Sequence, residues 1–314
     1  MGKIAIALAF VVAMSLTAGA QAQTSLTILT GAQGGVYNLL GDALSRIYTK
    51  AIPGMKITVQ PTKTSAENLN ALQAGKGELA FTLGDVLADA WRGNEEAGFK
   101  TPLTKLRGLS ATYNNYVQIV ARADSGIRTI ADLKGKRVSV GVARSVSELN
   151  ARAIVRAAGL SYKDFAKVEY LPFGQSMEML KEKQIDATLL SAVAGVASLR
   201  DLAMALNIVI VAIPPEAVAK AGDVYQPAAI PANTYHGQTG AVPTAAIPNF
   251  LVTQADVSED LAYQMTKAMY ENIDVLYAAN PAAKTIKREN AVKGMPLPLH
   301  PGAEKYYREV GVIR

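Results

Sequence analysis

Thr27-Ile-Leu-Thr-Gly-Ala-Gln-Gly-Gly-Val-Tyr-Asn-Leu-Leu-Gly-Asp-Ala-Leu44 decides how the rest of the chain is read. Apolar and polar residues alternate up to Thr30, glycines follow at 31, 34 and 35, and apolar residues then recur at Val36, Leu39, Leu40, Ala43, Leu44 and Ile47. The first pattern predicts a strand and the last an amphipathic helix, with a glycine turn between them. Glycine admits positive φ and close approach of peptide N–H groups, and a helix start adds unpaired donors and a partial positive charge. Gly34 and Gly35 are therefore candidate anion ligands, although glycines also stand between strands and helices simply to turn the chain. A dinucleotide fingerprint is excluded. The order is G-x-x-G-G, the next strand ends at Val59-Gln60-Pro61 without an acidic residue, and no P-loop sequence occurs anywhere.

Before this unit, Lys3, the apolar run Ile4 to Leu16 and Ala20-Gln21-Ala22 form a secretory signal with an A-x-A cleavage site, so residues 1–22 are expected to be removed. The mature product is expected to be periplasmic and monomeric. The 314-residue chain is long enough for two lobes, and with no cysteine it excludes disulfides, thiol nucleophiles and thiolate metal sites. Its formal charge of +6 comes from scattered Lys and Arg, which argues against nucleic acid and allows a mild attraction for anions.

After the opening unit, Lys56 to Gln60 reads as a strand. Thr64 and Glu67 form a capping box for a helix that carries Ser65 and Asn68, and Leu79 to Thr82 is a buried strand. Asp85 follows its carboxyl end, where open α/β sheets bind ligands. The same series then recurs. Arg137 to Gly141 is a strand, Ser145 and Glu148 cap a helix to Ala158, and strand, helix and buried strand follow through Leu190. The offset is 110 between Gly31 and Gly141 and 108 between Leu72 and Leu180, a single long period that predicts two similar α/β lobes. A proline-rich connection leads to a strand at 244–252, one long helix at 259–279, and a helix, loop and terminal helix from 284 to 307.

Catalytic chemistry has little support. The two histidines, His236 and His300, neighbour Gly237 and Pro301 and read as turn residues; no nucleophile elbow, metal-binding helix or cofactor motif is present. Asp85 and Asp186 suit ligand contact or loop capping equally. Tyr37 and Asn68 either face the cleft or serve as core and solvated helix residues, and Trp91 and Tyr113 are cleft walls or core.

Four segments together resemble the TAXI family of solute receptors for tripartite ATP-independent periplasmic (TRAP) transporters: Thr-Gly-Ala-Gln-Gly-Gly-Val-Tyr at 30–37, Ser-Ala-Glu-Asn-Leu at 65–69, Ala-Asp-Ser-Gly-Ile with Ala-Asp-Leu-Lys-Gly-Lys-Arg-Val between 123 and 138, and Pro-Leu-His-Pro-Gly-Ala-Glu-Lys-Tyr-Tyr-Arg-Glu at 298–309. The resemblance implies a type II periplasmic-binding-protein fold, with lobe 1 at 23–115 and 232–314 and lobe 2 at 116–231. It implies a non-enzymatic receptor that binds a small organic anion such as glutamate, glutamine or 2-oxoglutarate and hands it to a membrane permease. The alternatives are a sensory or surface binding protein and an exported enzyme using the same cleft. The family's first-lobe site corresponds to Gly34, Gly35, Tyr37, Ser65 and Asn68. Its Gln-x-Asp-Val is Leu83-Gly84-Asp85-Val86 here, keeping Asp85 and losing the amide. Its second-lobe glycine turn is Gly-Val-Ala-Arg-Ser-Val-Ser at 141–147, so Arg144, Ser145 and Ser147 are candidate ligand contacts, and Arg144 implies a different solute or an added anionic group.

Overall fold

The computed structural model describes residues 25–314, so the expected export signal and its cleavage site lie outside the described residues. The opening unit forms β1 (Ser25–Leu29), α1 (Val36–Ala51), β2 (Lys56–Gln60), α2 (Ser65–Gln73) and β3 (Leu79–Leu83). All three strands are parallel in the order β2-β1-β3, with Ile28 opposite Leu79. Helix α1 buries Leu40, Ala43, Leu44 and Ile47, the face its spacing requires. Gly41 sits mid-helix because a Cβ there would overlap Thr30 Cγ2, and its absence brings α1 tight onto the strand ends.

The repeat seen in the sequence is a repeat in topology. Strand β4 (Leu106–Arg122) leads to β5 (Arg137–Ser139), α4 (Val146–Ala157), β6 (Lys167–Glu169), α5 (Phe173–Lys181) and β7 (Ala187–Ala192) after α3 (Gly84–Arg92) has closed the first unit. Here the parallel order is β6-β5-β7, with Val138 opposite Ala187. Both lobes thus wind the same way around their central strand. The chain continues through α6 (Ala197–Ala205), β8 (Ile208–Val211), α7 (Pro215–Ala221), β9 (Gln226–Ile230) and β10 (Val242–Gln254).

Strands β4 and β10 join the lobes. They run antiparallel to each other; β10 pairs with β3 at Asn249–Thr253, while β4 pairs with β7 at Tyr116–Ala121. The first part of β10, Val242–Ala246, still pairs with β9. Between β9 and β10, Tyr235 is buried in the same core as Val120 and Ile230, and its hydroxyl donates to the Gln118 amide oxygen. The C-terminal α8 (Glu259–Glu271) and α9 (Ile273–Ala279) pack on α1, α10 (Pro301–Glu309) packs on α8 and β4, and together they complete the lobe 1 core.

Two expectations need correction. The long helix at 259–279 is broken into α8 and α9 at Asn272, whose backbone N–H and side-chain amide both donate to Ala268 O, at 3.2 and 2.9 Å, and so compete for one acceptor where the helix ends. The helix expected after residue 284 is a pair of short 3-10 turns, Pro281–Thr285 and Arg288–Asn290.

Candidate functional site

The starts of α1 and α4 face one cleft of about 800 Å³ between the lobes. The two turns have the same backbone. Gly34 has φ of 78° and Arg144, the equivalent position, 60°. Gly35 N–H donates to Ala32 O and Ser145 N–H to Val142 O, each at 2.9 Å. Gly34 N–H donates to Asn38 Oδ1 at 3.1 Å, and Arg144 N–H to Glu148 Oε2 at 3.2 Å. In both turns the third helical residue reaches back to hold the left-handed residue in place. The next peptide N–H groups, at Val36 and Tyr37 and at Val146 and Ser147, lie in first turns with no intrahelical acceptor.

Two serines add donors. Ser65 Oγ accepts from Leu83 N–H at 3.3 Å and Ser147 Oγ from Ser191 N–H at 3.1 Å. Each hydroxyl thereby uses an acceptor site on the scaffold and keeps its proton to donate into the cleft that it lines. Lys63 and Arg144 stand on opposite lips, exposed and without a carboxylate partner among the described residues.

Of the candidates from the sequence, Gly35, Tyr37, Ser65, Arg144, Ser145 and Ser147 line this cleft together. Gly34 lies behind the turn and shapes it. Asn68 is fully buried: its amide donates to Thr30 O at 2.7 Å and Phe81 O at 2.8 Å and accepts from Thr62 Oγ1 at 2.6 Å, so it ties three segments together beneath the cleft floor. Asp85 opens instead into a neighbouring side cavity with Asp89, Arg92, Arg152 and Arg156. Burial pushes its carboxyl up to about 7 against the Val86 N–H, which lowers it.

Tyr37 is a wall. Its ring stacks on Phe81 at 5.2 Å and meets Tyr113 at 6.1 Å, and its hydroxyl donates to Asn249 Oδ1. Burial pushes its hydroxyl far above the usual tyrosine range. Tyr113 also lines the cleft, whereas Trp91 packs against core. Asp186 pairs with Arg137 at 2.8 Å and braces the second lobe. His300 is buried, caps α10 by accepting from Gly302 N–H, and is pushed below the usual imidazole range by that burial; His236 is exposed in a turn.

Lys63 was missed in the sequence, and a signal for it exists. Lys63-Thr64 and Arg144-Ser145 each place a cation just before a hydroxyl N-cap, and in each the third helical residue, Glu67 or Glu148, accepts the cation's own N–H. Asp89 and Val142 also line the cleft; no motif in the sequence marked either.

Fold and cleft together define a two-lobe protein of the periplasmic-binding-protein type. The architecture is similar to PhnD1 from Prochlorococcus marinus in complex with methylphosphonate, with a TM-score of 0.56 at 12% identity over 92% of this chain and 99% of that one. It is also similar to the periplasmic sulfonate-binding protein SsuA from Methylobacillus flagellatus, TM-score 0.54 at 12% identity over 84% and 72%, and to the aliphatic sulphonate-binding SsuA from Escherichia coli, TM-score 0.50 at 18% identity over 91% and 82%. The chain belongs to the NMT1-like family, whose sequence pattern matches residues 28–311.

Proposed function

We propose that the protein is an extracytoplasmic receptor that binds a small organic anion between its lobes and passes it to a membrane transporter. The observation that carries this reading is one cleft walled by the opposed starts of α1 and α4 with their free N–H donors, to which lobe 1 adds Ser65 and Lys63 from the start of α2 and lobe 2 adds Ser147 and Arg144 from the start of α4. Such an arrangement attracts negative charge from both sides, so an anion bound to one lobe draws the other toward it. The secretory signal read at 1–22 supports a place outside the cytoplasm, and no catalytic step is assigned to the receptor.

The TAXI-like motifs support a TRAP permease as the partner. A second reading, an ATP-driven importer, is favoured by the Methylobacillus flagellatus relative, which is described as part of a sulfonate ABC transporter. Co-purification with each kind of permease, expressed beside the receptor, separates the two.

Protein purified without refolding tests the binding function. A melting-temperature screen across carboxylates, sulfonates, phosphonates and amino acids, with X-ray scattering on each hit, is expected to give a raised melting point and a smaller radius with at least one anion. A screen in which no anion raises the melting point overturns the reading.

A further inference from the structure

We infer that the solute is an anion with a hydrophobic body, aryl or branched alkyl, and without an ammonium group. This rests on the receptor reading above and narrows it. Polar groups line the cleft at the helix starts and at Thr30, Asp89, Asn115 and Ser191, and much of the remaining wall is apolar: Tyr37, Val86 and Tyr113 on lobe 1, and Val142, Phe173 and Val196 on lobe 2. A volume of about 800 Å³ with this lining is in the range of roughly 300–1,000 Å³ that takes a largely apolar ligand oriented by a few polar groups. Val142 is 45% exposed, one of three large apolar side chains so placed among the described residues, and it faces the cleft. Burying it requires an apolar partner, which a compact polar solute does not supply.

The aromatic side of the cleft is fixed in advance. The Phe81 stack and the Asn249 hydrogen bond hold the Tyr37 ring, Asn249 Nδ2 donates to the Tyr113 backbone carbonyl at 3.0 Å, and the Tyr113 ring packs on that of Tyr37 at 6.1 Å. A ligand ring or branched chain therefore meets a wall that loses little freedom on binding.

An ammonium group finds few acceptors. Ser65 and Ser147 already accept from backbone N–H groups, Thr30 O accepts from both Thr62 and Asn68, Ser191 Oγ accepts from Asn150 Nδ2 at 3.1 Å and Asn115 Oδ1 from Asn249 Nδ2 at 3.5 Å. The carboxylate on the lining is Asp89. It accepts from Asn94 Nδ2 at 2.9 Å and borders the side cavity that Arg92, Arg152 and Arg156 also line. Lys63 and Arg144 outweigh this one carboxylate, so the charge of the lining is net positive.

Isothermal titration of the full mature protein with 4-methylbenzoate, 4-methylbenzenesulfonate, the neutral 4-methylbenzamide, L-glutamate and 2-oxoglutarate tests the inference. At least one aryl anion is expected to bind about tenfold or more tighter than glutamate and 2-oxoglutarate, with a negative heat-capacity change, and the neutral amide is expected to bind far more weakly. Val142→Ser, at an exposed position that leaves the fold untouched, is expected to weaken the aryl anion about three- to tenfold. Tighter binding of glutamate or 2-oxoglutarate overturns the inference and leaves the receptor reading standing. Equal affinity for 4-methylbenzoate and 4-methylbenzamide overturns the anionic head as well. Equal affinity of Val142→Ser and wild type for the aryl anion overturns the apolar wall.

Discussion

The turns at 31–38 and 141–148 have one backbone and two chemistries. In the first, glycine fills the left-handed slot, glycine is the N-cap, and a neutral Asn38 holds the loop from behind. In the second, Arg144 takes the same φ region, Ser145 caps the helix through its hydroxyl, and Glu148 does the holding. The difference shows that the geometry of an anion site resides in the hydrogen-bond frame, while its charge is set by the residue placed in the slot. A side chain in that region costs roughly 1–2 kcal/mol relative to glycine. Lobe 2 accepts this cost and gains a cation at the lip of the cleft.

The largest test breaks the frame of the second turn. Glu148 is fully buried; one oxygen accepts the Arg144 N–H and the other accepts Arg152 Nε and Nη2 at 3.0 and 2.7 Å. Glu148→Ala is expected to lower unfolding stability by about 3 kcal/mol, because it leaves a backbone donor and a guanidinium without their acceptor. Asn38→Ala, the equivalent change in lobe 1, is expected to cost about 1 kcal/mol, since a single neutral hydrogen bond is lost. Urea unfolding of both variants checks the ratio, and equal losses would make the two frames energetically alike.

A second test uses a group that only lobe 1 has. Asp85 follows β3, and the equivalent residue after β7 is Val193. The Asp85 carboxyl is raised from 3.8 to about 7 in the folded protein, chiefly by burial, with Asp89 adding to the rise. A raised carboxyl pKa means that the unfolded chain ionises first as pH increases. Stability is then unaffected below about 4, falls between about 4 and 7, and carries the full penalty above 7. Asp85→Asn is accordingly expected to be the more stable protein at pH 8, by about 2 kcal/mol after allowance for partial exposure, and no more stable at pH 3.5. Melting curves across that range decide it; a gain that does not vary with pH would contradict the assignment.

The smallest effects come from exchanging the slot residues. Arg144→Gly is expected to raise stability by about 0.5–1 kcal/mol through relief of the left-handed side chain, and Gly34→Ala to lower it by about 1 kcal/mol. A Cβ on Gly34 meets nothing within 4 Å, so that cost is backbone alone. Chemical denaturation of the two variants should give opposite signs.

Much of this was legible in the sequence. The glycines at 31, 34 and 35 with the apolar spacing after them located the first turn, and the offset near 110 located the second, because a repeated strand, turn and helix keeps its period even where residue identities diverge. Ser65 and Ser147 were candidates through the resemblance, and both lie in the first turns of capped helices. Asn68, near a capped helix start, and Asp85, after the carboxyl end of a buried strand, were marked by position as well as by resemblance and lead elsewhere, since a linear pattern does not say whether a polar side chain turns toward the cleft or toward its own scaffold. The break at Asn272 was hidden because Glu259 to Ala279 keeps its apolar periodicity across the bend. Val142 carried no signal at all; an apolar residue in a turn looks like any other until the opposite lobe shows what it faces.

Arg144 provides the most direct test that both helix starts hold one anion. Calorimetry of wild type and Arg144→Ala with the anion that gives the greatest melting-point rise compares the affinities, while circular dichroism confirms the fold. A charge-assisted contact is worth roughly 1.5–3 kcal/mol, so the variant is expected to bind about ten- to a hundredfold more weakly with its fold unchanged. Equal affinity would place Arg144 outside the binding site and leave the anion to the first helix start and the serines.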